Sequence, residues 1–333
     1  MFKQTTLAFN ECPDDLARWL VASGADLSMG DSYGETPLHA RAGHWQGRID
    51  ILLELGADVH AGENIRGTPL HKAAGVGNVR SARLLLDHGA RVAALNSEGQ
   101  SPLVYALQRC QNTGIKGLAP MAELLLDAAA SQTTKSKSLA HRILSWSETG
   151  NKPVTPAMKA CVQRIGTNFE FHRDGYNRDD VGATSAALEK LYVLFGVTPV
   201  PRRSMHEGKS LIMVNATRWD ERYEQLWQKL VPSSGAANTV QGEVVRISGR
   251  IRDEFERNGG ANWDADYRKM ADAFLVHISS CVTLPEPKLS ETRKIISEVK
   301  ARRGDTERIC ALAVEWVALN PKPETLSPPD YSR

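Results

Sequence analysis

The sequence predicts an all-α protein in which a helical-repeat solenoid over residues 1–131 precedes a C-terminal helical domain. Three observations predict this. The segment Thr36-Pro37-Leu38-His39 returns as Thr68-Pro69-Leu70-His71 and, more weakly, as Ser101-Pro102-Leu103-Val104, at offsets of 32 and 33 residues. A second motif, Gly24-Ala25-Asp26, Gly56-Ala57-Asp58 and Gly89-Ala90-Arg91, keeps the same period. From Ala183 onward, apolar residues recur at helical spacing throughout.

The chain of 333 residues is too long for one ordinary core and divides most naturally into two or three domains. Its 41 Lys and Arg against 39 Asp and Glu leave a formal charge of +2, which gives no general attraction to phosphate backbones or anionic membranes. Nucleic acid and membrane are therefore not expected as partners. Five scattered cysteines, Cys12, Cys110, Cys161, Cys281 and Cys310, contain no C-x-x-C pair, so neither a disulfide framework nor a zinc clip is indicated. No signal-peptide-like or bilayer-spanning apolar run is apparent, and cytoplasmic residence is the default expectation.

Each repeat reads as a helix pair. Thr68 suits the cap of the first helix, Pro69 its first turn and Leu70 the start of its buried face, with an end near Gly75–Gly77. The second helix runs from about Val79 to His88, with Leu84, Leu85 and Leu86 as its apolar face and Gly89 as its left-handed stop. Copies are expected at 31–63, 64–95 and 96–130, the last with an insertion loop near QNTGIKGLAP. The stretch from Asp14 to Asp26 holds a second helix and a stop but no Thr-Pro-Leu-His, as a capping unit would.

The segment from Asn64 to Asn96, with TPLHKAAGVGNVRSARLLLDHGARV, resembles the ankyrin repeat family. That resemblance implies an ankyrin-repeat solenoid whose projecting turns and first helices form a concave, protein-binding face. It also implies that His39 and His71 tie neighbouring repeats together by hydrogen bonds. On this register Ala40, Lys72 and Tyr105 form one stripe, and Tyr33, Ile65, Arg66 and Glu98 sit at turn tips. Trp45 lies near a first-helix end, and Arg41 stands where the family usually has a small residue. The partner-binding candidates are thus Tyr33, Arg41, Trp45, Ile65, Arg66, Lys72, Glu98 and Tyr105, types that include the aromatic and arginine anchors of interfaces. For any one of them, packing within the array or plain solvation is the competing reading.

Residues 132–182 read as a helical cap and linker, with helices expected around Leu139–Trp146 and from Pro156 to about Ile165. The helical domain is expected at 183–319. Its stripes are Leu188, Leu191, Tyr192 and Phe195; Trp219 to Leu230; Val240 to Phe255, capped by Asn238-Thr239 and stopped by Asn258-Gly259-Gly260; Trp263 to Phe274; and Thr306 to Leu319. Residues 320–333 read as a disordered, proline-rich tail.

The segment from Leu230 to Tyr267 resembles helical segments of uncharacterised bacterial proteins, which implies no activity. Its polar residues Gln241, Glu243, Arg246, Arg250 and Asp264 are the only candidates for a C-terminal site. Gly208-Lys209-Ser210 lacks the earlier glycine of a phosphate loop, and His172-Arg173-Asp174 matches only three letters of a kinase loop. No cofactor or metal is expected. The leading reading is a non-enzymatic module that captures a protein partner on its concave face, with self-association open to the C-terminal domain. The alternative is an effector or toxin-like enzyme whose C-terminal domain is delivered by the repeats.

Overall fold

A computed structural model describes residues 5–62, 66–136 and 154–331. Among these residues lie fourteen α-helices and no strand, apart from an isolated antiparallel bridge between Thr239 and Thr325. The chain divides at Val200 into two compact units, each with its own apolar core.

The first unit is a stack of helix pairs. A 3-10 turn, Thr6–Ala8, and α1, Asp14–Ala22, form the first, abbreviated pair. Next come α2, Pro37–Ala42, with α3, Asp50–Glu54; then α4, Pro69–Val76, with α5, Val79–Asp87; and α6, Pro102–Arg109, with α7, Ile115–Ser136. The first helices α2, α4 and α6 pack in succession, and α5 packs on α7. The repeated motif adopts one conformation. Thr36, Thr68 and Ser101 cap their helices with φ between -79 and -73 and ψ between 163 and 169, each followed by a proline whose missing N–H costs nothing there. The stops Gly24, Gly56 and Gly89 all take φ near +90, which a side chain would strain.

The copy at 31–63 is the most compressed, since α2 and α3 have 6 and 5 residues where α4 and α5 have 8 and 9. In the copy at 96–130 the expected insertion loop is largely absent. Only Gln111–Gly114 turns, and IKGLAP opens the 22-residue α7 with Pro120 inside it. Gly117 lies against the backbone of Gly77, whose φ of +73 favours glycine and where a Cβ would stand 3.2 Å from the Gly117 Cα.

A fifth pair completes the stack without the motif: α8, Pro156–His172, and α9, Arg178–Phe195. Thr155 and Asn177 cap them, and Gly196 stops the second. Helix α8 packs on α6 and α9 on α7, and Val162, Ile165, Phe169, Leu188, Leu191 and Phe195 join the repeat core. The stretch expected to open a separate domain at 183 therefore belongs to the array, and the division falls at 200. The polar segment FEFHRDGYNRDDVGAT, within the stretch expected as cap and linker, is helical at both ends. The helix expected around Leu139, Ile143, Leu144 and Trp146 lies outside the described residues.

The second unit holds α10, Trp219–Leu230; α11, Val240–Asn258; α12, Ala265–Ile278; α13, Glu286–Lys300; and α14, Thr306–Leu319. Helix α11 is central and packs on α10, α12 and α14. Gly249 lets the Trp227 ring lie against it, because a Cβ there would stand 2.2 Å from the ring. Residues 320–331 are held, contrary to the expected disordered tail. The Gln241 side-chain amide donates to the carbonyls of Asn320 (3.0 Å) and Lys322 (2.8 Å) and accepts from the Glu324 amide (3.0 Å). Val240 and Asn238 add backbone hydrogen bonds to Glu324 and Leu326.

Candidate protein-binding surface

The repeated histidines set the spacing of the first helices. The amide of Thr36 donates to His39 Nδ1 (3.1 Å), so the proton sits on Nε2, which donates to the carbonyl of Gly67 at the head of the next repeat (3.1 Å). His71 repeats this with the Thr68 amide (3.0 Å) and the Gln100 carbonyl (3.0 Å). Burial holds the His39 imidazole below its ordinary range, which keeps it in this neutral, two-ended role. Between the helices the residues are small. A Cβ on Gly43 would touch that of Lys72, and one on Gly75 would press on the Tyr105 ring.

On this scaffold the predicted side chains fall into distinct places. Tyr33 is 41% exposed and carries the Arg66 guanidinium 4.5 Å above its ring, which joins successive turn tips. Lys72 forms a half-buried ion pair with Glu35 of the preceding repeat. Tyr105 stands edge-on to His71, with ring centres 5.9 Å apart, and lies under Arg109 at 5.1 Å. Trp45 is 68% exposed in the turn between α2 and α3. Glu98 is exposed and accepts from the Gln100 amide group (2.9 Å). Ile65 lies outside the described residues.

Arg41 must be removed from the binding set. It is 1% exposed, and its guanidinium donates to the carbonyls of Leu7 (2.8 Å), Arg48 (3.4 Å) and Cys12 (3.5 Å). The first pair has a 3-10 turn in place of a full helix, and Arg41 supplies donors to carbonyls which that turn leaves over. Sequence reasoning missed Phe9, Glu35, His44 and Arg109. Phe9 is 52% exposed and, with Glu35, Ala40, Gly43, His44 and Lys72, lines a groove of about 410 Å³. A second groove of about 350 Å³ runs between the ends of α4 and α6, past Gly75, Ala106 and Arg109. Burial pushes the Cys110 thiol in its wall up to about 11, so it stays protonated near neutral pH.

Residues 41–136 match the family of ankyrin repeats, in three copies. This stretch is an ankyrin-repeat array. No curated protein is similar to the chain. Ankyrin repeats are, in general, protein–protein interaction modules, and the grooves and stacked arginines described above lie on the first helices and turns of this ankyrin array. The abbreviated pair before Arg41 and the pair α8–α9 extend the ankyrin stack beyond the matched residues.

The five polar residues expected to form a C-terminal site have separate roles in the second unit. Glu243 and Arg246 are buried and form a two-pronged ion pair (2.7 and 2.8 Å), and Tyr331 donates its hydroxyl to Glu243 (2.7 Å). Burial opposes ionisation of Glu243, but hydrogen bonds from Arg246, the Ala237 amide and Tyr331 outweigh it and hold the carboxyl below its usual range. Gln241 is occupied with the chain end, Arg250 is exposed to solvent, and Asp264 caps α12 through the Tyr267 amide (3.1 Å). At the Gly208-Lys209-Ser210 segment, His206 Nδ1 accepts from the Gly208 amide (3.0 Å), so Nε2 carries the proton and cannot serve as a base toward Ser210. Among the described residues no group of three or more His, Cys, Asp or Glu could hold a metal ion, and no helix is long and apolar enough to cross a membrane.

Proposed function

We propose that the ankyrin array captures a protein partner on the face built by its first helices and turn tips. One observation supports this reading above the others: an exposed arginine lies over an aromatic ring at two places on this face, Arg66 over Tyr33 at the turn tips and Arg109 over Tyr105 at the end of α6, the latter beside an open groove. Such groups bury large area at low entropic cost when a partner covers them. The competing enzymatic reading draws less support from the geometry, since Gln241, Glu243 and Arg246 bond to groups of the second unit itself.

The test uses the full chain as bait against a native extract, beside a variant with Tyr33, Arg66, Lys72 and Tyr105 all changed to Ala. Specific capture by the parent that disappears in an equally well-folded variant supports this face. Undiminished capture by the variant counts against it.

A further inference from the structure

Resting on that reading, we infer that the captured segment is acidic and extended, presenting one carboxylate to Arg66 and another to Arg109. Each guanidinium carbon lies over a tyrosine ring, 4.5 Å and 5.1 Å from its centre, and both arginines are exposed, so the ring restrains the cation while its N–H donors remain within reach of a partner. Among the described residues neither has a carboxylate within ion-pair distance. Elsewhere on the array, by contrast, Arg18 pairs with Glu54 (2.5 Å), Arg80 with Asp50 (2.8 Å) and Arg48 with Asp14 (3.8 Å).

Among the described residues the nearest carbonyls do not draw Arg109 away either. The carbonyls that end its helix, those of Leu107 and Gln108, already accept from Arg164 (3.0 and 3.1 Å). The acids of the same face are engaged: Glu35 with Lys72, Glu98 with the Gln100 amide group, and Asp31 with the amides of Tyr33 and Glu35. What this face leaves unsatisfied is therefore cationic and planar. A carboxylate, which takes two parallel N–H donors, is its natural complement.

The spacing limits the partner further. Arg66 precedes α4, whereas Arg109 ends α6, one repeat further on and at the opposite end of the first helices. An eight-residue helix is about 12 Å long and neighbouring helices sit about 8–10 Å apart, so the two guanidiniums are separated by roughly 15 Å. An extended chain rises about 3.3 Å per residue, which places the two acids about five positions apart. Two separated cations among several carboxylates do not make the continuous basic strip that a phosphate backbone requires, so the partner is protein.

The experiment selects a displayed library of random twelve-residue peptides on the full chain. The selected peptides are then measured on Arg66→Gln, Arg109→Gln, Arg66→Lys and a Tyr33→Ala/Tyr105→Ala double variant. Selected peptides should carry two Asp or Glu about five positions apart, with affinity falling about tenfold for each Gln variant and less for the Lys variant. Peptides that lack acids yet are lost in the tyrosine double variant overturn this inference and leave the binding face standing. Peptides that bind the double variant undiminished overturn both. Selection of no acidic peptide, with an oligouridine binding instead in a manner abolished by the two Gln changes, overturns it in favour of nucleic acid.

Discussion

Replacing Arg41 with Met keeps most of the apolar stem volume and removes only the buried guanidinium. Its strongest contact, Nε to the Leu7 carbonyl at 2.8 Å, ties the first pair to the second, and the bonds to Cys12 and Arg48 are longer and weaker. A buried acceptor deprived of its donor costs about 1–3 kcal/mol, so with the minor contacts the loss is about 2–3 kcal/mol. In a stacked array each unit touches only its neighbours, and the cost falls on the first pair rather than on the whole fold. Opening of that pair should rise roughly 30- to 150-fold, at tenfold per 1.4 kcal/mol. Native-state hydrogen exchange read by mass spectrometry measures this directly. Exchange should accelerate in the segment from Leu7 through α1 and stay unchanged in α5. Unchanged exchange in α1, together with lost partner capture, would return Arg41 to the surface and refute the reasoning.

Other perturbations follow the same logic. His71→Ala removes both the Thr68 contact and the tie to Gln100, and should lower array stability by about 2–3 kcal/mol in urea denaturation, more than the exposed Trp45→Ala does. Because burial keeps the folded-state pKa of His39 below its ordinary 6.5, its contribution is fully present above about pH 6.5. It is lost as the pH falls toward the folded-state value, since only the unfolded chain takes up the proton there. The slope should be at most about 1.4 kcal/mol per pH unit, and His39→Gln should flatten it. Arg246→Met leaves the Glu243 carboxylate buried without its cation and should destabilise the second unit by about 3–5 kcal/mol, whereas Tyr331→Phe should cost about 1.5–3 kcal/mol. A denaturation midpoint unchanged in Tyr331→Phe would show that the chain end is not held as described.

Much of the array was legible because its determinants are local. Caps, first-turn prolines and glycine stops act within a few residues of where they stand, and so the Thr-Pro-Leu-His helices, and the helices capped by Thr239 and Asp305, fall where the pattern places them. What escaped depends on partners distant in sequence. Arg41 has the chemistry of an interface anchor, and only the missing first helix of the preceding pair, 34 residues away at Leu7, draws it inward. Gly117 and Pro120 look like breakers of a loop, yet they sit in α7, with Gly117 against the backbone of the previous repeat. The prolines near the chain end suggested disorder, while the groups that hold this segment, Gln241 and Glu243, lie about 80 residues earlier. Helix α13 went unread because its apolar positions, Leu289, Ile295, Ile296 and Val299, are interleaved with charges. The Arg109 contact is the exception, since Tyr105 stands four residues earlier on the same helix, a spacing that puts both on one face.

Hydrogen exchange of the full chain with and without its captured partner tests the central claim most directly. New protection should appear in α2, α4 and α6 and in the tips around Tyr33 and Arg66, with α3 and α5 unaltered. Protection confined to residues beyond 200 would contradict recognition by the array.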